Sequence, residues 1–107
     1  MTSSHNREAV YRAIADPTRR AMLLMLSKKE SSATELASPF DISQPAASQH
    51  LRVLRDAGLV TVERKGRERR YRLDPAPLHD VHNWLEHFER FWNAKLDALG
   101  NYLNRIA

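Results

Sequence analysis

The chain has 107 residues, with 17 Lys and Arg against 13 Asp and Glu for a formal charge of +4, and it has no cysteine. That length suits one domain, and the lack of thiols excludes disulfides, thiolate metal sites and thiol redox sensing. The longest wholly apolar run, Ala21 to Leu26, is far too short to span a membrane, and Met1 to Asn6 has no apolar signal core, so a soluble cytoplasmic protein is expected.

Taken in chain order, the first predicted helix covers about residues 7–15, with Val10 and Ile14 one turn apart. Asp16 then suits an N-cap and Pro17 a first helical position, opening a second helix that carries the run Ala21 to Leu26. The order Ser32-Ala33-Thr34-Glu35 fits a capping box and starts a short third helix, which Ser38-Pro39 ends. Ser43 is a further N-cap with Pro45 in the first turn of a fourth helix, which Gly58 closes in a left-handed conformation. Residues 33–57 therefore read as a helix-turn-helix.

Two short strands follow, about 59–63 and 69–73, on which Val60 and Val62, then Tyr71 and Leu73, alternate. Between them lies the turn Arg64-Lys65-Gly66-Arg67-Glu68, so residues 59–73 form a basic wing. After Pro75 and Pro77 a single long helix is predicted over about 78–104. Its stripe of Val81, Leu85, Phe88, Trp92, Leu96, Leu99, Leu103 and Ile106 recurs at steps of three and four. So small a chain has little core left to cover that stripe. A second copy is expected to do so, through Val10, Ile14, Leu85, Phe88, Trp92, Leu96, Leu99 and Leu103.

The charge is concentrated where this layout presents it. Residues 43–72 hold eight Lys and Arg against three Asp and Glu, whereas residues 73–107 hold three against five. On the fourth helix, Ala47, Leu51 and Leu54 share a face suited to the core, leaving Ser43, Gln44, Pro45, Ser48, Gln49 and Arg52 to face outward. Gln pairs with adenine, Ser donates or accepts, and Arg favours guanine or phosphate. With Lys65, Arg67 and Arg69 of the wing these residues form the expected contact set for double-stranded DNA. Arg70 and Arg72 are expected to pair with carboxylates, and His50 to sit as a hydrogen-bonding residue between the two faces. Arg19 and Arg20 fit either a phosphate contact or a surface ion pair.

Several of these segments resemble the ArsR/SmtB family of winged-helix repressors: Ala15-Asp16-Pro17-Thr18-Arg19-Arg20, the run Ser43 to Val60, and Gly66-Arg67 through Tyr71-Arg72-Leu73. The resemblance covers about residues 6–75, and the terminal helix is similar to the family's dimerisation helix. It implies a homodimer that represses by binding an imperfect inverted repeat. Family members that sense metals through thiols carry Cys-x-Cys where this chain has Glu35-Leu36-Ala37-Ser38. Others pair Asp-x-His with a later His and acid. Here Asp80-Val81-His82 matches the first half, while Asn93 and Leu96 stand near the second.

The sequence is thus read as one α+β, mostly helical domain over residues 1–107, a winged helix-turn-helix with dimerising helices at about 7–15 and 78–104. No cofactor and no catalytic set are expected, since the chain lacks a Gly-rich phosphate loop and an adjacent nucleophile and base. Expected partners are operator DNA and a second copy, with an unidentified small-molecule or metal effector left open. Two alternatives stand beside this reading. One is a metal-responsive repressor using His79, His82 and Glu86, which share a helical face; the other is a winged-helix module that binds protein.

Overall fold

A computed structural model describes residues 3–106, with side chains from Arg7 onward. The elements in order are α1 (Ser3–Ile14), α2 (Pro17–Leu26), β1 (Ser31–Ser32), α3 (Ala33–Ala37), α4 (Gln44–Asp56), β2 (Val60–Lys65), β3 (Glu68–Leu73), α5 (Leu78–Glu86) and α6 (Glu89–Ile106).

Local chemistry sets most of the boundaries. The Asp16 carboxylate accepts the Arg19 N–H at 3.0 Å, with Pro17 in the first turn of α2. Ser32 and Glu35 form a reciprocal capping box, with Glu35 N–H to Ser32 Oγ at 3.2 Å and Ser32 N–H to Glu35 Oε1 at 2.8 Å. Ser43 Oγ accepts the Ala46 N–H at 3.2 Å and starts α4. At the other end of α4, Gly58 takes φ +79°, and its N–H reaches the Arg55 carbonyl at 2.9 Å. The Leu59 N–H returns to the Leu54 carbonyl at 3.0 Å, and both leucines are wholly buried, which completes a Schellman closure. A Cβ added at Gly58 would meet nothing nearer than Pro77 Cγ at 3.6 Å, so the cost of substitution lies in the backbone alone. Gly58→Ala should therefore destabilise the protein by about 1–2 kcal/mol, lowering Tm by roughly 5–10 °C in a thermal melt.

The core gathers Val10 and Ala13 of α1, Met22 and Leu26 of α2, Leu36 of α3, and Ala47, Leu51 and Leu54 of α4. Leu59, Val60 and Tyr71 close it from the wing. The three α4 positions are the ones predicted from spacing, so the opposite face of that helix is free.

The structure corrects the sequence reading at four places. The wing strands run 60–65 and 68–73 and leave a two-residue turn, Gly66-Arg67, with φ +65° at Gly66 and a negative φ at Arg67, the pattern of a II′ hairpin. A third strand, β1, pairs antiparallel with β3 through Ser31↔Tyr71 and Ser32↔Arg70, giving the order β1-β3-β2. The predicted helix 78–104 is two helices. Around His87-Phe88 the backbone tightens to i−3 bonds, with His87 N–H to Trp84 O at 3.2 Å and Phe88 N–H to Leu85 O at 3.0 Å. Neither Pro nor Gly marks this joint. Trp84 packs on Tyr11 of α1 (centroids 6.1 Å apart), Phe88 meets Trp84 edge-on at 5.1 Å, and the His87 ring contacts the Trp84 carbonyl at 3.1 Å.

The last correction concerns the expected dimer contacts. Val10 is wholly buried in its own protomer's core and Ile14 packs against that core, because α1 turns its apolar side toward α2 and α4. Leu85 is half-buried. Phe88, Trp92, Leu96, Leu99 and Leu103 all remain exposed, and no residue of α6 is buried.

Candidate nucleic-acid interface

Gln44, Pro45, Ser48, Gln49 and Arg52 are all exposed on α4, as is the capping Ser43. A cleft of about 600 Å³ separates this helix from the wing. Pro45, Ser48, Gln49, Arg52, Arg55 and Asp56 line one wall, and Arg69 and Tyr71 of β3 line the other. Helix and wing therefore present their polar and basic groups to one concave surface.

The pleat of the hairpin sorts the wing's cations into two sets. The register pairs Val60 with Leu73, Val62 with Tyr71 and Arg64 with Arg69. Because side chains alternate along a strand, Arg64 and Arg69 continue the core-facing rows beyond the end of the core, on the side of α4. The intervening positions, Glu63↔Arg70, Thr61↔Arg72 and Lys65↔Glu68, face the other way.

On that outer face the cations are engaged. Lys65 Nζ and Arg70 Nε lie 3.3 and 3.4 Å from Glu30 Oε1, and Arg72 Nε lies 3.3 Å from Glu30 Oε2. Arg70 Nη1 also meets Glu35 at 3.3 Å and Glu68 at 3.1 Å. The Lys65 ammonium, together with the two guanidiniums, holds the Glu30 carboxyl below the usual carboxylate range. Among the described residues, Arg52, Arg55, Arg64, Arg67 and Arg69 have no such ion pair. Arg70 and Arg72 are thus placed as the sequence suggested, while Lys65 is held with them, away from Arg69. Arg64 and Arg55 lie on the cleft side but outside the contact set expected from the sequence. The alternation Val60, Val62, Arg64 carried the signal for the first.

Arg19 and Arg20 close the end of α1. Arg19 Nε donates to the Ala13 carbonyl at 2.7 Å and Nη2 to that of Arg12 at 3.1 Å, while Arg20 Nη1 reaches Ile14 O at 2.9 Å. The remaining Arg19 nitrogen lies 3.2 Å from His50 Nδ1, which is also 3.9 Å from Asp16 Oδ2. The Arg19 N–H beside Asp16 keeps that carboxyl below its ordinary range. This cluster ties α4 to the corner between α1 and α2, so His50 occupies the boundary position expected of it.

His79, His82 and Glu86 share the outer side of α5. His82 Nε2 is 3.4 Å from Glu86 Oε2, His79 stacks on His82 at 6.0 Å, and His79 Nδ1 is 3.3 Å from the Asn83 amide. Among the described residues no three His, Asp or Glu side chains gather as a metal-ligand group. No described helix is long and apolar enough to cross a membrane.

Comparison with known proteins agrees with this geometry. A helix-turn-helix domain family matches residues 14–63. The chain is 38% identical over 104 residues to the HTH-type transcriptional regulator Rv2034 of Mycobacterium tuberculosis, covering 97% of this chain and 94% of that one. It is 39% identical over 79 residues to the transcriptional repressor SdpR of Bacillus subtilis, covering 74% and 88% respectively. The crystal structure of an ArsR family transcriptional regulator, RHA00566, superposes with a TM-score of 0.75 at 33% identity, covering 84% of this chain and 93% of that one. The exposed polar face of α4, the basic wing across the cleft from it and these relatives together establish that the chain belongs to the ArsR/SmtB family of winged helix-turn-helix, DNA-binding transcriptional regulators.

Proposed function

We propose that the protein is a homodimeric repressor that binds an inverted-repeat operator in the cytoplasm and uses no thiol-based metal sensing. The observation that carries the reading is the shared cleft, with Gln44, Ser48, Gln49 and Arg52 on one side and Arg69 on the other. A helix laid in the major groove reads base edges, while an adjacent basic hairpin grips phosphate or the minor groove. We assign base contact to Gln44, Ser48 and Gln49, with Ser43 and Pro45 at the helix start. Backbone or guanine contact falls to Arg52, and phosphate contact to Arg64, Arg67 and Arg69.

Dimerisation is supported by α6, whose large apolar residues lie outside any core: Leu96 is 64% exposed, Leu99 52% and Leu103 50%. Two copies joined there would offer two recognition helices to successive major grooves about 34 Å apart. Repression follows if the bound promoter is denied to polymerase, in keeping with the relative SdpR, which is named a transcriptional repressor.

Footprinting on the DNA upstream of the protein's own gene, beside a random duplex, tests the reading. A protected two-fold site is expected, and equal weak binding to both duplexes would refute it. Gln49→Ala should weaken operator binding by about 1–3 kcal/mol for a lost base contact, leaving random DNA nearly untouched. Equal losses on both would remove Gln49 from the base-reading set.

A further inference from the structure

We infer that Glu30 limits the protein's sequence-independent affinity for DNA, by holding the wing's outer cations off the duplex. The inference rests on the DNA-binding reading above and adds to it a residue outside both the recognition helix and the hairpin.

The geometry is that of one carboxylate shared by three cations. Lys65, Arg70 and Arg72 each approach Glu30 within 3.4 Å, and Arg70 Nη2 also reaches the Glu30 carbonyl at 3.3 Å. Glu30 immediately precedes β1, whose pairing with β3 through Ser31↔Tyr71 and Ser32↔Arg70 fixes it at the sheet edge opposite the outer face of the wing. The Glu30 side chain is 28% exposed and Arg70 22%, so the cluster is partly withdrawn from water. A single exposed ion pair contributes little, but a network around one carboxylate is held by several contacts at once.

The consequence is a division of labour. The duplex meets a wing that carries the charge of Arg64, Arg67 and Arg69, while an equal number of cations is balanced internally. Each phosphate neutralised adds about 0.9 to the salt slope of binding whatever the sequence. Cations released from Glu30 would add affinity for all DNA and none for the operator in particular. Glu30 thereby acts as a positioning residue that limits sequence-independent attraction.

The test measures affinity for a random duplex and for the footprinted operator between about 50 and 200 mM salt. Glu30→Gln keeps the shape and removes the charge. With a wild-type circular dichroism spectrum, it should steepen the random-duplex slope by about one to three units. Affinity for random DNA and for the operator should then rise together, several-fold at low salt, with the operator-to-random ratio unchanged. A folded Glu30→Gln protein with an unchanged or shallower slope would overturn the inference, because a purely structural tie moves stability and not the slope.

The double variant Lys65→Gln/Arg72→Gln keeps Glu30 and its contact with Arg70, and so decides the matter even if Glu30→Gln fails to fold. Its slope should equal that of the wild type, and a fall of about two units would place those cations on DNA and refute the role given to Glu30. Wild-type protein that bound no duplex in the same titrations would overturn the DNA reading itself, a failure distinct from either variant result.

Discussion

Leu99→Glu is expected to leave the protein folded, monomeric and at least about 100-fold weaker on its operator. Leu99 stands mid-way along α6 and is 52% exposed in the protomer, so the protomer's core does not depend on it. Its neighbours on the same face, Trp92, Leu96 and Leu103, are 50–64% exposed. Covering a large apolar side chain contributes about 1.5–3 kcal/mol when burial is complete. A seam of several such residues from each copy therefore has enough to offset the roughly 4–15 kcal/mol cost of association. Two carboxylates placed there without partners each cost several kcal/mol, which removes that margin.

The operator effect follows from linkage. When two half-sites are held by one rigid dimer, the second contact is intramolecular, and losing it costs about 10²–10⁴ in overall affinity. Sedimentation should give the 12.4 kDa protomer, with helical content and protomer unfolding little changed. A Leu99→Glu protein that stayed dimeric would move the interface away from this face of α6.

What could be read from the sequence divides by the range of the interaction. Asp16-Pro17, Ser32 with Glu35, and Ser43 act within three residues, and each formed the cap its spacing announced. The buried face of α4 followed from helical period alone. β1 had no comparable signal. Two serines in a polar run become a strand only because β3 comes to lie beside them, and their pairing is set by the tertiary fold. The clamp of Glu30 on residues 65, 70 and 72 spans 35 to 42 positions of chain, and the Arg19–His50 contact spans 31. Residue type pointed to carboxylate partners for Arg70 and Arg72, but not to which ones. Charge alone groups Lys65 with Arg69, whereas strand alternation places the two on opposite faces of the hairpin. At the α5–α6 joint Trp84 packs on Tyr11 of α1 and Phe88 packs on Trp84, contacts that no helix-breaking residue advertises.

Arg64→Gln/Arg69→Gln should separate binding from stability in opposite directions. The two arginines are cross-strand partners, and like charges placed opposite each other destabilise a hairpin by about 0.2–1 kcal/mol. The neighbouring outer-face positions instead pair Glu63 with Arg70 and Lys65 with Glu68, opposite charges in both cases. A repulsive pair at the mouth of the α4 cleft is costly in the free protein, and an anion lying between the two side chains would relieve it. Neutralising both should therefore leave Tm unchanged or slightly raised. It should lower affinity for operator and random DNA alike, with the salt slope shallower by about two units for each bound protomer. Arg70→Gln is the opposing control. It breaks contacts with Glu30, Glu35 and Glu68, so it should lower Tm while leaving the slope near the wild-type value. Should Arg64→Gln/Arg69→Gln lose stability and keep the wild-type slope, the anion-facing role would pass from this pair to other cations of the wing.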